Sequence, residues 1–368
     1  MSSLPADVPD DLDGLANFLD NHRRAQTVPG LSVAVVRGAD RVWSRAAGTD
    51  DLAQQRPFSI DSACHWFSMT KIASVTAAMG LVNAGRLDLD APVTTYLPDV
   101  LPPAFDGVRV VHLAQHAAGL RNPLPLRWVH RAGAPIPDQR AFLARHLPAR
   151  AKPRFEPGSR AAYSNLSAVV LGEVMAAITG TSYVDHVRDA WLQPLGMDHT
   201  GFTYADVGDA PRAVGYQPAA RALDPLLRAF FPPGIVGLRC GRFLSLEPFE
   251  MDAPACSGLI GPVTDAARFL TVHTGATSML SRASAARMQE ITVTGKPYDL
   301  GLGWFPHGAT FSSTSPDDEW VQHYGGGGGF WNVLRVYPHR SLGVAVMGNT
   351  TRRWDVDALA DVVAAFPW

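Results

Sequence analysis

Strand-like segments lie at the two ends of this chain, and the stretch between them reads as helices and loops. GLSVAVVRG (30–38) and RVWSRAAG (41–48) are β-branched runs around a short Gly-Ala-Asp turn, the pattern of a hairpin. After residue 300, EWVQHYGG, FWNVLRVYP and SLGVAVMGN read as three successive strands, and WDVDALADVVAAF (354–366) as a closing helix. Strands so far apart in sequence are used economically in one antiparallel sheet built from both termini, with helices packed on it. The expected class is therefore α/β (α+β). Residues 1–67 and 262–368 would form the sheet domain, and 68–261 an inserted, mostly helical domain. A cleft between the two is where a ligand site belongs.

Helical periodicity supports this division. Residues 10–25 place Leu12, Leu15, Phe18 and Leu19 on one face, and 69–84 carry Ile72, Val75, Met79 and Val82 as a stripe before Gly85. NLSAVVLGEVMAAITG (165–180) ends at Gly180, and PVTDAARFLTVHTG (262–275) has Thr264 or Asp265 near its N-cap. From about 86 to 235 the helical pieces are separated by proline-rich loops.

Of 368 residues, 46% are apolar and 18% charged, enough apolar content for a sizeable core. The net charge of −2 and the lack of any Lys/Arg run leave no electrostatic footprint for nucleic acid or an acidic membrane. No apolar stretch has the length of a membrane span; 167–180 is too short and carries Glu173. The acidic opening has no apolar signal-like core, and Cys64, Cys240 and Cys256 form no CxxC or metal spacing. A cytoplasmic location with free thiols is the resulting expectation.

Three short motifs carry chemistry. In Ser68-Met69-Thr70-Lys71, residues three apart share a helix face, so hydroxyl and amine can meet. The Ser68 N–H, at a helix start, lacks an intrahelical acceptor and can face a developing oxyanion. Lys71 is one of only three lysines; to act as a base it must shed its proton part of the time, which burial or a cationic neighbour would favour. In Tyr163-Ser164-Asn165 a phenol able to relay protons precedes a helix. Asn165 could orient a substrate carbonyl or hold Lys71, or simply cap the helix. In QHYGGGGGFWN (322–332), strand alternation puts His323 and Gly325 on one face. Gly325 could let a substrate lie against the backbone, and the Gly326 N–H could be a second oxyanion donor, although five glycines also suit a hairpin bend.

Taken in order, Ser-x-x-Lys, Tyr-x-Asn and His-x-Gly resemble the serine β-lactamase and penicillin-binding protein superfamily, in its class C β-lactamase-like branch with related esterases and D-alanyl-D-alanine peptidases. The likeness extends through FSMTKIASVTAAMGLVNAGRLDLDAPVTTYLPD, the His116-x-x-Gly119-Leu120 turn, the block from FEPGSRAAYSN to GMDHTGF, SGLIGPVTDAARFL and VAVMGN. It implies Ser68 as acylated nucleophile, Lys71 and Tyr163 as the proton-transfer pair, and Asn165, His323, Gly325 and Gly326 as substrate-binding positions. It also implies an acyl-enzyme hydrolase of small ester or amide substrates with no metal or organic cofactor. His323 stands where the family's β-lactamases place a lysine, which favours esterase-like over β-lactam chemistry.

Other readings stay open on sequence alone. A β-lactamase, a D-alanyl-D-alanine carboxypeptidase or a non-catalytic acyl-ligand sensor would use the same fold. His112 and His116 could share a metal if helical, but no third ligand accompanies them. Cys64 and His65 are adjacent and point apart, and no G-x-S-x-G elbow occurs. Segment 221–252, apolar and proline-containing, reads as a wall of the cleft.

Overall fold

Seven strands make the main sheet, and both ends of the chain supply them. In chain order they are β1 Gly30–Arg37, β2 Asp40–Asp51, β3 Arg56–Pro57, β4 Phe305–Pro306, β5 Val321–Gly327, β6 Phe330–Tyr337 and β7 Leu342–Gly348. The spatial order is β4-β5-β6-β7-β1-β2-β3, with every neighbouring pair antiparallel. β1 lies along β7 from Leu31 opposite Gly348 to Arg37 opposite Leu342. This computed structural model describes residues 8–123, 127–147, 151–275, 277–296, 298–306 and 319–368; the first seven residues of the acidic opening lie outside them.

The long helices are α1 Leu12–Gln26, α2 Thr70–Asn83, α3 Asn165–Thr179, α4 Val263–His273 and α5 Val356–Ala365. Side-chain alternation sorts them onto the two faces of the sheet. Leu31, Val33 and Val35 of β1, with Val344 and Val346 of β7, meet Leu15 and Leu19 of α1 and Leu359 and Val363 of α5. On the opposite face Ala34, Val36, Ala345 and Met347 join the larger core with Phe269 and Leu270 of α4. Both faces being covered, β1 is an almost unbroken apolar run. Each such Leu or Val side chain contributes about 1.5–3 kcal/mol by leaving water.

The fold departs from the sequence expectations at three places. α2 has no single stripe: it is buried nearly all round, Thr70, Lys71, Ser74 and Thr76 included, because it packs against α3 and the short helix Pro254–Ser257. The N-cap of α4 is Pro262, and Asp265 instead accepts from the His199 N–H (3.1 Å) and the Thr200 hydroxyl (2.8 Å). The inserted region is not all helix. It holds a three-stranded sheet of Gly215–Pro218, Phe243–Leu246 and Val236–Cys240, and a pairing of Val129–Arg131 with Phe249–Met251. Cys64–His65 pairs with Ile260–Gly261, beside the expected boundaries at 67/68 and 261/262. Among the described residues no single helix is long and apolar enough to cross a membrane.

Candidate active site

Ser68 sits on a tight helical turn, Phe67–Met69, that runs straight into α2. The chain enters this turn through Phe67 at φ +47°, left-handed backbone that costs a bulky residue about 1–3 kcal/mol. Surrounding bonds hold it there. Trp66 donates its N–H to the Leu259 carbonyl (2.8 Å), and the Asn332 side-chain amide of β6 donates to the His65 carbonyl (2.8 Å). That carbonyl lies three residues before Ser68, so the Ser68 N–H stands at the unpaired start of the helix.

Lys71 follows one turn later on the same side. It is 1% exposed, and Nζ donates to Ser68 Oγ (3.0 Å) and to the Cys256 carbonyl (2.7 Å). Tyr163, just ahead of α3, donates its hydroxyl to Ser68 Oγ at 2.8 Å. The ammonium is also 4.9 Å from the centre of the Tyr163 ring. Ser68 and Tyr163 are each partly exposed, whereas Lys71 is enclosed behind them. A hydroxyl that ligands can reach is thus hydrogen-bonded to two groups that can exchange protons with it.

Two imidazoles flank this group. His116 packs its ring on Tyr163, centroids 4.5 Å apart, and accepts the Ser164 N–H at Nδ1 (3.3 Å). Burial, and next the charge of Lys71, pushes His116 down to about 3. His323 stacks on Phe305 at 4.4 Å, and burial followed by the Lys71 charge lowers it well below the usual histidine range. Its Nδ1 lies 2.7 Å from the Tyr324 carbonyl, which can only accept, so Nδ1 carries the proton. Nε2 is then a bare lone pair, buried and without a partner among the described residues.

The glycine run forms the end of β5 and the turn into β6. A two-residue turn, Gly328-Gly329, makes Gly327 and Phe330 the closing bonded pair. By alternation the N–H of Gly326 points to the open edge of β5, since β4 pairs only with Val321 and Gln322. Gly326 is exposed. At Gly325 the space that the sequence suggests is left for substrate is filled by the protein itself: a Cβ there would fall 2.0 Å from the Trp66 carbonyl oxygen. The missing side chain lets the Ser68 turn lie against the strand.

Asn165 heads α3, where its N–H donates to the Asn122 side chain (2.9 Å). Its Oδ1 is buried without a partner, so it does not hold Lys71; that role falls to the Cys256 carbonyl. Segment 221–252 contributes Phe231, Leu246 and Phe249, all within 4 Å of a Cβ placed on Gly328. Three contributions escaped sequence reasoning. The Cys256 and Trp66 roles belong to backbone carbonyls, which no residue type signals, and His116 was marked only by the turn it occupies.

The remaining sequence candidates fall elsewhere. His112 accepts the Arg109 N–H at Nδ1 (3.1 Å) and caps its own helix. Among the described residues no group of three His, Cys, Asp or Glu side chains is placed to hold a metal ion. Burial pushes the Cys64 thiol up and His65 down to about 3, and the His65 ring stacks on Phe249 at 4.3 Å.

Comparison with known proteins bears on the family and the fold. The chain is 26% identical over 331 residues to the D-alanyl-D-alanine-carboxypeptidase/endopeptidase AmpH of Escherichia coli K12, covering 86% of this chain and 78% of AmpH. It is 33% identical over 204 residues to Esterase EstB of Burkholderia gladioli, covering 51% of this chain and 50% of EstB. The octameric penicillin-binding protein homologue from Pyrococcus abyssi superposes with a TM-score of 0.79 at 23% identity, over 96% of this chain and 77% of that one, and shows the same fold. The Beta-lactamase family model matches residues 15–366, and proteins of this family are serine hydrolases. The chain belongs to the Beta-lactamase family.

Proposed function

We propose that this protein hydrolyses small ester or amide substrates through an acyl-enzyme on Ser68, with a preference for carboxylesters. One observation carries the reading: Ser68 Oγ lies within hydrogen-bond distance of both Lys71 Nζ and the Tyr163 hydroxyl while remaining accessible. Ser68 Oγ attacks the carbonyl carbon, and its proton passes to the Lys71–Tyr163 pair. The oxyanion is received by the N–H groups of Ser68 and Gly326. Tyr163 delivers the proton to the departing alcohol or amine, and water then attacks the acyl-Ser68 ester and releases the acid. Asn165, with an unpartnered Oδ1, is a substrate-positioning residue in this scheme.

The ester preference rests on His323. In the β-lactamases that the motifs resemble, a lysine at this position receives the substrate carboxylate, whereas a neutral ring with a bare Nε2 offers it neither charge nor a donated proton. Phe231, Leu246 and Phe249 supply an apolar wall suited to an acyl or alcohol group. EstB, an esterase, is a relative in sequence.

A panel of p-nitrophenyl esters, nitrocefin and D-Ala-D-Ala peptides tests the reading, with Ser68→Ala as blank. Short-chain esters should exceed nitrocefin in kcat/KM by more than about tenfold. Ser68→Ala should remove at least about 10³-fold of the turnover and all labelling by a fluorophosphonate probe. Undiminished labelling of Ser68→Ala would reject the nucleophile; labelling of the wild type without turnover would make the protein an acyl-ligand sensor.

A further inference from the structure

We propose that His116 is a positioning residue for Tyr163, holding the phenol on Ser68 through the backbone on either side of it; this rests on the proton-transfer reading above. The grip has three points. The His116 carbonyl accepts the Ala162 N–H at 2.9 Å. Nδ1 of the ring accepts the Ser164 N–H at 3.3 Å. Between them the ring packs on Tyr163 at a 42° tilt, centroids 4.5 Å apart. One residue thus holds positions 162, 163 and 164.

The backbone of His116 argues that its side chain matters. Its φ is +51°, left-handed, at the end of the short helix Val110–Ala114. A turn that needed only this conformation would favour glycine or asparagine. Histidine carries a Cβ strain there that glycine would not, and the observed contacts are what its ring adds. Accepting the Ser164 N–H also fixes the neutral tautomer with the proton on Nε2, and burial keeps the ring neutral. Phe305 and His323 stand further off, each 6.2 Å from the Tyr163 ring, so His116 is the nearest ring packed on it among the described residues.

Ring and acceptor can be separated by substitution. His116→Gly suits the left-handed backbone and removes both. His116→Asn also suits it, and Oδ1 stands where imidazole Nδ1 stood. With a short-chain p-nitrophenyl ester, His116→Gly should lower kcat roughly thirtyfold with KM changed less than about threefold, a displacement of the phenol rather than loss of binding. His116→Asn should recover to within about threefold of wild type. In a Tyr163→Phe background, His116→Gly should cost less than about twofold, because the group it positions is already gone.

Wild-type kcat in His116→Gly, no recovery in His116→Asn, or the same fold-loss with and without the Tyr163 hydroxyl would each overturn the proposal. A Tyr163→Phe enzyme with full turnover would instead remove the proton-relay reading and this inference with it. The two failures are therefore distinguishable.

Discussion

At Gly325 the absence of one carbon sets how closely the serine-bearing turn approaches the sheet. An alanine Cβ would fall 2.0 Å from the Trp66 carbonyl oxygen and 3.1 Å from its carbon, and backbone cannot swing aside as a side chain can. The turn must therefore move, carrying Ser68 away from the Gly326 N–H. Gly325→Ala should lower kcat on an ester by about 10²-fold or more, with a smaller effect on KM. At Gly326 the nearest atoms to an alanine Cβ belong to the Trp331 ring, a partly exposed side chain and not backbone, so Gly326→Ala should cost less. Equal activity in wild type and Gly325→Ala would disprove the close-packing account. The same position shows what a sequence conceals. Helix spacing made the pairing of Ser68 with Lys71 legible, whereas the approach of Tyr163 was implied by the family resemblance that the three motifs carry together. The need for glycine at 325 was legible too, but not its cause, since the group that fills the space is a carbonyl common to every residue.

Among the elements, the strands of the main sheet were easiest to read because β1 and β7 are short, nearly unbroken apolar runs rich in β-branched residues and bounded by turn residues. α2 was legible as a helix but not in its stripe, since surroundings on all sides erase the polar face that a stripe requires. The strands within 215–251 escaped notice, being three to five residues long and interrupted by glycine and proline. β6 carries an exception to its apolar pattern. Arg335, fully buried, bonds Asp357 (2.6 Å) and Asp361 of α5 and lies over the Trp320 ring at 3.9 Å. Removing one side of such a pair leaves carboxylates without their cation. Arg335→Ala should lower unfolding free energy by about 3–5 kcal/mol. The triple change Arg335→Met, Asp357→Asn and Asp361→Asn should recover most of it in denaturant titration. A loss below about 1 kcal/mol in the single variant would mean that α5 is held by its apolar face alone.

Over the whole molecule, the chain leaves the main sheet after Pro57 and returns to it at Phe305, so the site is bounded by segments distant in sequence. Its outer wall depends on the pairing of Val129–Arg131 with Phe249–Met251, and His130 fastens that pairing. Nδ1 lies 2.7 Å from Asp252, and Nε2 3.5 Å from Glu250, which is 1% exposed and accepts the Tyr204 N–H at 2.9 Å. The hydrogen bond with Asp252, then the Glu250 carboxylate 3.5 Å away, pushes His130 up to about 9, whereas an unfolded chain leaves histidine near ~6.5. The folded state binds the proton more tightly, so the stabilisation is complete below about pH 6.5 and fades as pH rises through about 9. The pair fastens one short strand pairing outside the main sheet, so the expected effect is a few degrees in Tm rather than collapse. His130→Gln should lie below wild type in Tm at pH 6, and the gap should shrink as pH approaches 10. A gap of constant size across that range would show that His130 contributes packing and not charge. A gap that closes, accompanied by loss of ester turnover before global unfolding, would place the first opening of the molecule at the wall bearing Phe249.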